Sequence, residues 1–197
     1  GNPMTASTQP DDCPEQPGSP LDQACLNCDI GQSLLAKGLC CRDFRSTLGS
    51  FATGVTILSA LDDEGNSIGM TISSFNSVSL DPPLILWSLS LNSPNLEAFR
   101  KAKNYAVNVL AADQQHLSDR FASRRPDRFS EVMVRSGLGG VPLVVGCSAW
   151  FECSNEAQYP GGDHLIFLGR VEHFARGEAQ APLVFHGGHY RKIAPHT

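Results

Sequence analysis

GMTISSFNSVSLDPP, the run from Gly69 to Pro83, decides how the rest of the chain is read. Hydroxyls at Thr71, Ser73, Ser74, Ser77 and Ser79 are interleaved with apolar Ile72, Phe75, Val78 and Leu80, so hydroxyls and backbone amides crowd a short, turn-rich path. Such a path can donate several hydrogen bonds to an anion without a Walker-type lysine. Without a ligand, the same run reads as a serine-rich strand and turn packed on the edge of a barrel.

The flanks favour strands. Phe51 to Leu61 (FATGVTILSAL) is apolar and β-branched and ends in the turn signal Asp62-Asp63-Glu64-Gly65-Asn66, from which Ser67 to Phe75 returns as a partner strand. Pro82-Pro83 imposes an extended entry to the strand Pro83 to Leu91, and Tyr105 to Leu110, Val141 to Cys153, His164 to Phe174 and Leu183 to His186 continue the pattern. Two helices are expected. One has Ser93 as N-cap and Pro94 at its first position and runs through Arg100-Lys101-Ala102-Lys103. The other spans about Ala112 to Ser123, with Leu117 and Phe121 on one face. Many short strands and few helices favour a mainly β, closed or split antiparallel barrel over a parallel doubly wound sheet.

Charge and cysteine content single out the N-terminal part of the 197 residues. The net charge is −5, and five acids (Asp11, Asp12, Glu15, Asp22, Asp29) precede the first base, Lys37, so the remaining 15 acids face 15 bases. The imbalance belongs to a proline-rich arm, assigned to residues 1–41, ahead of a domain over 42–197. A chain so balanced is not built to live on nucleic-acid phosphates. No charged start leads into an apolar signal segment, and no apolar run approaches the roughly 20 residues of a membrane span, so a soluble cytoplasmic protein is expected. Of seven cysteines, Cys13, Cys25, Cys28, Cys40 and Cys41 precede residue 42. Cys25-x-x-Cys28 resembles half a metal site, but adjacent Cys40 and Cys41 point in different directions. Reduced structural or redox-labile thiols are the preferred reading, and no metal ligand is assigned.

Several catalytic signatures are missing. Gly137-Leu138-Gly139-Gly140 lacks the spacing of a dinucleotide fingerprint, and neither a GxSxG elbow nor an HExxH pair occurs. The candidates left are Asn92-Ser93 and the arginines Arg120, Arg124, Arg125 and Arg128 as anion contacts. Beside them stand Gly162-Asp163-His164 in a turn and the segment His186 to Tyr190.

These residues, in this order, resemble the flavin reductase-like family. The matching runs are Phe44-Arg45 to Leu48-Gly49, FATGVT (Phe51 to Thr56), GMT (Gly69 to Thr71) and SFNSVSLDPP (Ser74 to Pro83). They continue with Ser93, NYAVNVL (Asn104 to Leu110), Phe121-Ala122, Gly162-Asp163-His164, Gly169-Arg170-Val171, Pro182-Leu183 and Tyr190-Arg191, together covering about residues 42 to 193. The resemblance implies a six-stranded antiparallel split β-barrel with a few short helices. It further implies a homodimer that binds FMN or FAD, oxidises NADH or NADPH and supplies reduced flavin to a partner monooxygenase.

Carried over by position, Thr71, Ser73 and Ser74 would lie along the isoalloxazine and ribityl chain, and Ser77, Val78 and Ser79 would continue that wall toward the phosphate. Ser93 would help hold the phosphate; Asn92, Phe121, Asp163 and Tyr190 complete the cofactor set, and His164 would contact the nicotinamide. Ser73 stands where relatives commonly carry Asn, and Asn95 where a Thr is frequent. Two other readings stay open: a flavin-binding electron carrier without nicotinamide activity, and a flavin barrel bearing a Cys-rich metal or redox arm.

Overall fold

The computed structural model describes residues 36–39, 41–179 and 181–196. Cys13, Cys25, Cys28 and Cys40 lie outside the described residues. The chain divides into two compact units, residues 1–52 and 53–197. In the first, helix α1 (Cys41–Leu48) carries Asp43 in its opening turn and closes with Gly49 and Ser50 donating to the carbonyls of Arg45 and Thr47. No helix among the described residues is long and apolar enough to cross a membrane.

The second unit is mainly β with a few short helices. Its main sheet comprises β2 (Thr56–Leu61), β3 (Ser67–Ile72), β4 (Asn76–Leu80), β5 (Pro83–Ser90), β6 (Asn104–Val109), β9 (Ala149–Gly161) and β10 (His164–Arg176). Its order is β3-β2-β6-β9-β10-β5-β4 and every pairing is antiparallel. Strands β1 (Thr53–Gly54), β11 (Val184–His186) and β12 (His189–Arg191) form a small sheet, and β7 (Val134–Ser136) pairs with β8 (Pro142–Val144).

The two outermost strands of the main sheet, β3 and β4, are consecutive in the chain and joined by residues 73–75 alone. Four Cα steps from Ile72 to Asn76 reach at most about 14 Å. Seven strands laid flat at about 4.8 Å spacing would hold those edges about 29 Å apart. The sheet therefore has to curl until its edges approach, while remaining open, because β3 and β4 do not pair.

Curling creates an inside and an outside. Leu58, Trp87, Phe99, Tyr105, Val107, Cys153 and Phe167 share one buried cluster, in which Trp87 stacks on Phe167 at 4.2 Å. Ile57, Ala106, Leu110, Phe121, Leu143 and Val144 form a second. Neighbours Ile57 and Leu58, like Ala106 and Val107, belong to different clusters, so β2 and β6 are covered on both faces and read as unbroken apolar runs. On β5 one face is covered, and Ile85, Trp87 and Leu89 alternate with half-buried Leu84, Leu86, Ser88 and Ser90.

Several sequence expectations shift. The main sheet has seven strands rather than six, because Asn76–Leu80 pairs with β5 as an edge strand of its own. The Val141 to Cys153 strand breaks into β8 and β9 around Gly146, whose φ of +88° suits glycine. The helix expected from Ser93-Pro94 begins later, as α2 (Leu96–Lys101), with Asn95 at its N-cap; Ser93 sits in the preceding turn, where its Oγ accepts the Asn95 N–H at 3.2 Å. The Ala112 to Ser123 helix is a 3₁₀ turn (Ala112–Gln114) followed by α3 (Gln115–Ala122), which buries Leu117 and Phe121 on its inner face.

One buried polar residue ties three strands together. Asn108, 0 % exposed on β6, donates to Ile57 O and Ser59 Oγ on β2, both at 2.9 Å, and its Oδ1 accepts the Val144 N–H on β8 at 2.8 Å. Ser59 Oγ in turn donates to Pro142 O at 2.6 Å. Truncation would strand several buried polar groups at once. We expect Asn108→Ala to lower unfolding free energy by about 2–4 kcal/mol in urea titrations, and exposed Asn92→Ala to change it by under about 0.5 kcal/mol. A loss at Asn108 below about 1 kcal/mol would show that the network is dispensable.

Candidate active site

The curl brings the expected residues to the seam between β3 and β4. Residues 73–75 lie outside both strand ladders, with Ser73 and Ser74 exposed, so this link keeps polar groups available at the surface. Ser74 Oγ accepts the Ser88 N–H at 3.0 Å and donates to Ser88 O at 3.3 Å, fastening the link to β5. Beyond it, Ser77 pairs with Ile85 and Ser79 with Leu84, and the bulge between them leaves Val78 without a partner and 48 % exposed.

At the far end of β5, Ser90 pairs with His164, the first residue of β10. Gly162 and Asp163 form the two-residue turn of the β9–β10 hairpin, with Gly162 at φ +68°, a conformation that favours glycine. The Asp163 carbonyl accepts the Leu91 N–H at 2.9 Å, which docks this turn on the chain leaving β5. Asp163 Oδ1 lies 2.7 Å from His164 Nδ1, an arrangement that favours the ring's proton at Nδ1 and leaves Nε2 without a hydrogen-bond partner among the described residues. Asn92 and Ser93 lie in the same turn, their N–H groups donating to Ser90 Oγ and Ser90 O. Ser73, Ser74, Asn92, Ser93, Asp163 and His164 thus cluster about one end of the β4–β5–β10 ladder.

Thr71 and Tyr190 belong to the other flank. Thr71 Oγ1 donates to Ser118 O at 2.6 Å, tying β3 to α3. Tyr190 Oη donates to Asp119 Oδ1 at 2.9 Å, so at its 2.7 Å contact with Ser118 Oγ the serine is the donor. Burial, with the Asp119 carboxylate adding to it, raises the Tyr190 phenol above its ordinary value. Phe121, expected in the cofactor set, is 1 % exposed and meets the Phe129 ring edge-on at 4.8 Å. Ser118, Asp119, Ser88 and Ser90 were not among the sequence candidates. Ser88 and Ser90 had a signal, the alternation of WSLS with its apolar neighbours; Ser118 and Asp119 sit 70 or more positions from Tyr190 and had none.

A cleft of about 320 Å³ adjoins both flanks, lined by Ser67–Gly69, Pro94, Asn95 and residues 124–130. Burial raises the Tyr105 phenol, and the Cys147 and Cys153 thiols to about 12. No group of three or more His, Cys, Asp or Glu side chains able to hold a metal occurs among the described residues. The site offers hydroxyls, amides, one oriented imidazole and a cationic cleft. That donor set suits a planar heteroaromatic with a polar edge and a phosphate tail, and it defines a cofactor-binding β protein.

Comparison with known proteins carries this further. The flavin reductase like domain matches residues 48–194, and the chain belongs to that family. It is 44 % identical over 153 residues to the FMN reductase (NADH) SmoA of Agrobacterium fabrum, covering 78 % of this chain and 86 % of the relative. Identity to the reductase subunit HsaB of a flavin-dependent monooxygenase from Rhodococcus jostii is 37 %, covering 83 % of each. Among solved structures, the Streptomyces globisporus NADH:FAD oxidoreductase SgcE6, in complex with NAD and FAD fragments, superposes with a TM-score of 0.74 at 37 % identity, over 78 % of this chain and 93 % of that one.

The two buried thiols make a direct check possible. Because folding raises both pKa values, they stabilise the fold fully below the ordinary thiol range, and that contribution is lost as pH climbs toward about 12. At pH 8 we expect Cys147 and Cys153 to resist iodoacetamide in the native protein and to react once urea unfolds it, as read by peptide mass spectrometry. Rapid native alkylation of either would contradict their placement.

Proposed function

We propose that the chain is an NAD(P)H-dependent flavin reductase, which reduces FMN or FAD and passes the reduced flavin to a partner monooxygenase. The observation that carries this reading is the hydroxyl-lined seam at residues 71–79 with His164, held by Asp163, at its end. When bound, a nicotinamide and a flavin would supply the redox chemistry between them, a hydride transfer. The chain's own task is to bind and orient. Ser73 and the backbone of 73–75 would offer donors and acceptors to a flavin's polar edge, Ser77, Val78 and Ser79 would extend that wall, and Asn92 and Ser93 would help hold its phosphate. Thr71 and Tyr190 hold β3, α3 and β12 in register behind it. His164 would contact the nicotinamide through Nε2, with Asp163 holding the ring at Nδ1.

The finer architecture in this reading is the split barrel of the flavin reductases, with the curled seven-stranded sheet as its body. It works as a homodimer. Leu84 and Leu86 on β5 share a half-buried apolar face with Ile166 and Leu168 on β10, and a second copy covers that face. Dependence on a nicotinamide substrate supports a cytoplasmic location.

The test is nicotinamide oxidation followed at about 340 nm, with NADH or NADPH and FMN or FAD. Oxidation above the uncatalysed rate with at least one pair is expected. A yellow protein that ignores both nicotinamides would instead establish the electron-carrier reading. In the active pair, His164→Ala should raise the nicotinamide KM or lower kcat/KM about tenfold or more while flavin affinity changes less than about twofold. Equal losses in both would remove His164 from the nicotinamide side.

A further inference from the structure

The cleft between β3, Pro94–Asn95 and the 124–130 loop adds positive charge to the site, and its arginines are unequally committed. Arg125 grips Asp127 through two nitrogens at 2.8 and 2.9 Å, and this contact lowers the aspartate pKa to about 2. Arg128 Nη1 donates to Gly69 O at 2.9 Å. From behind, Arg120 donates to the carbonyls of Asp127, Arg128 and Ser130, so the loop is held in shape from both sides. Arg124, exposed at the rim, has no hydrogen bond or ion pair among the described residues. Three guanidinium groups against one carboxylate leave the cleft with a net charge of +2.

The other wall is apolar. Phe129 lies over Gly69, where a Cβ would meet its ring at 2.9 Å, and Pro94, Pro126 and Ile68 complete the surface. A cleft of about 320 Å³ lies at the small end of ligand sites and suits a single nucleotide rather than a whole dinucleotide. It also continues the flavin wall: Pro94 follows Ser93 directly, and Gly69 precedes Thr71 by two positions on β3.

We propose that this cleft takes the adenylate phosphate of a dinucleotide, with Arg124 as the specificity-determining contact. FMN has no adenylate, so the cleft separates dinucleotide from mononucleotide; its donor is FAD or the nicotinamide substrate. The inference rests on the reductase reading for the identity of the dinucleotide, whereas binding of ADP alone tests the cleft independently of it.

The experiment titrates the full chain, and its Arg124→Ala and Arg124→Lys variants, with ADP, FMN and FAD by calorimetry, and then measures nicotinamide KM with FMN as acceptor. Arg124→Ala should weaken ADP about tenfold, Arg124→Lys should restore most of that loss, and FMN affinity should move by less than about twofold. If FAD is the source, its affinity falls in step with that of ADP. If the nicotinamide is the source, its KM rises about tenfold with kcat and FAD affinity held. Unchanged ADP and FAD affinities and an unchanged nicotinamide KM in Arg124→Ala, or a wild-type chain that binds no ADP, would overturn the proposal. An inactive wild-type chain whose ADP binding depends on Arg124 would overturn the reductase reading and keep the cleft.

Discussion

The three residues joining β3 to β4 constrain everything else in the larger unit. Because they link the two outermost strands of a seven-stranded sheet, the sheet cannot lie flat. It curls, and curling encloses Trp87, Tyr105 and Phe167 on one side while β2 and β6 become central strands covered on both faces. The link itself cannot join a ladder without closing the sheet. Its polar groups therefore stay at the surface, where evolution can direct them at a ligand without disturbing the core.

The same geometry explains the modest chemistry of the protein's own groups. Burial in the two apolar clusters raises the pKa of Tyr105, Cys147 and Cys153 and favours their neutral forms. Charge stays at the rim: Arg125 against Asp127, Arg128 on Gly69 O, Arg124 facing solvent. Family membership, shared with proteins named as FMN and FAD reductases, fits an architecture that binds and aligns reactive cofactors rather than supplying a tuned acid and base.

Much of this was legible in the amino-acid order because it is local. The alternation of Pro83 to Leu91 marks a strand with one covered face, Asp62 to Asn66 is a turn between paired strands, and Leu117 with Phe121 marks the buried side of α3. What escaped is what sequence distance hides. Asn76 to Leu80 has mostly exposed positions on an edge, so its pattern showed hydroxyls and concealed a seventh strand. Ser93 and Pro94 carry the composition of a helix start, yet the turn fastened to Ser90 delays the helix to Leu96. Phe121 matched a family motif, and its edge-on packing against Phe129 is a contact that the sequence does not display. The Ser118–Asp119–Tyr190 cluster and the Arg124 cleft exist because α3, β3 and β12 meet in space, which no window along the chain displays.

That the seam seats the flavin is tested most directly by hydrogen–deuterium exchange of the full chain with and without saturating FMN. Slowed exchange concentrated in residues 71–79 and 90–95, with β7 and β8 unchanged, is the predicted result. Protection elsewhere, with the amides of residues 71–79 exchanging as fast as in the free protein, would contradict it.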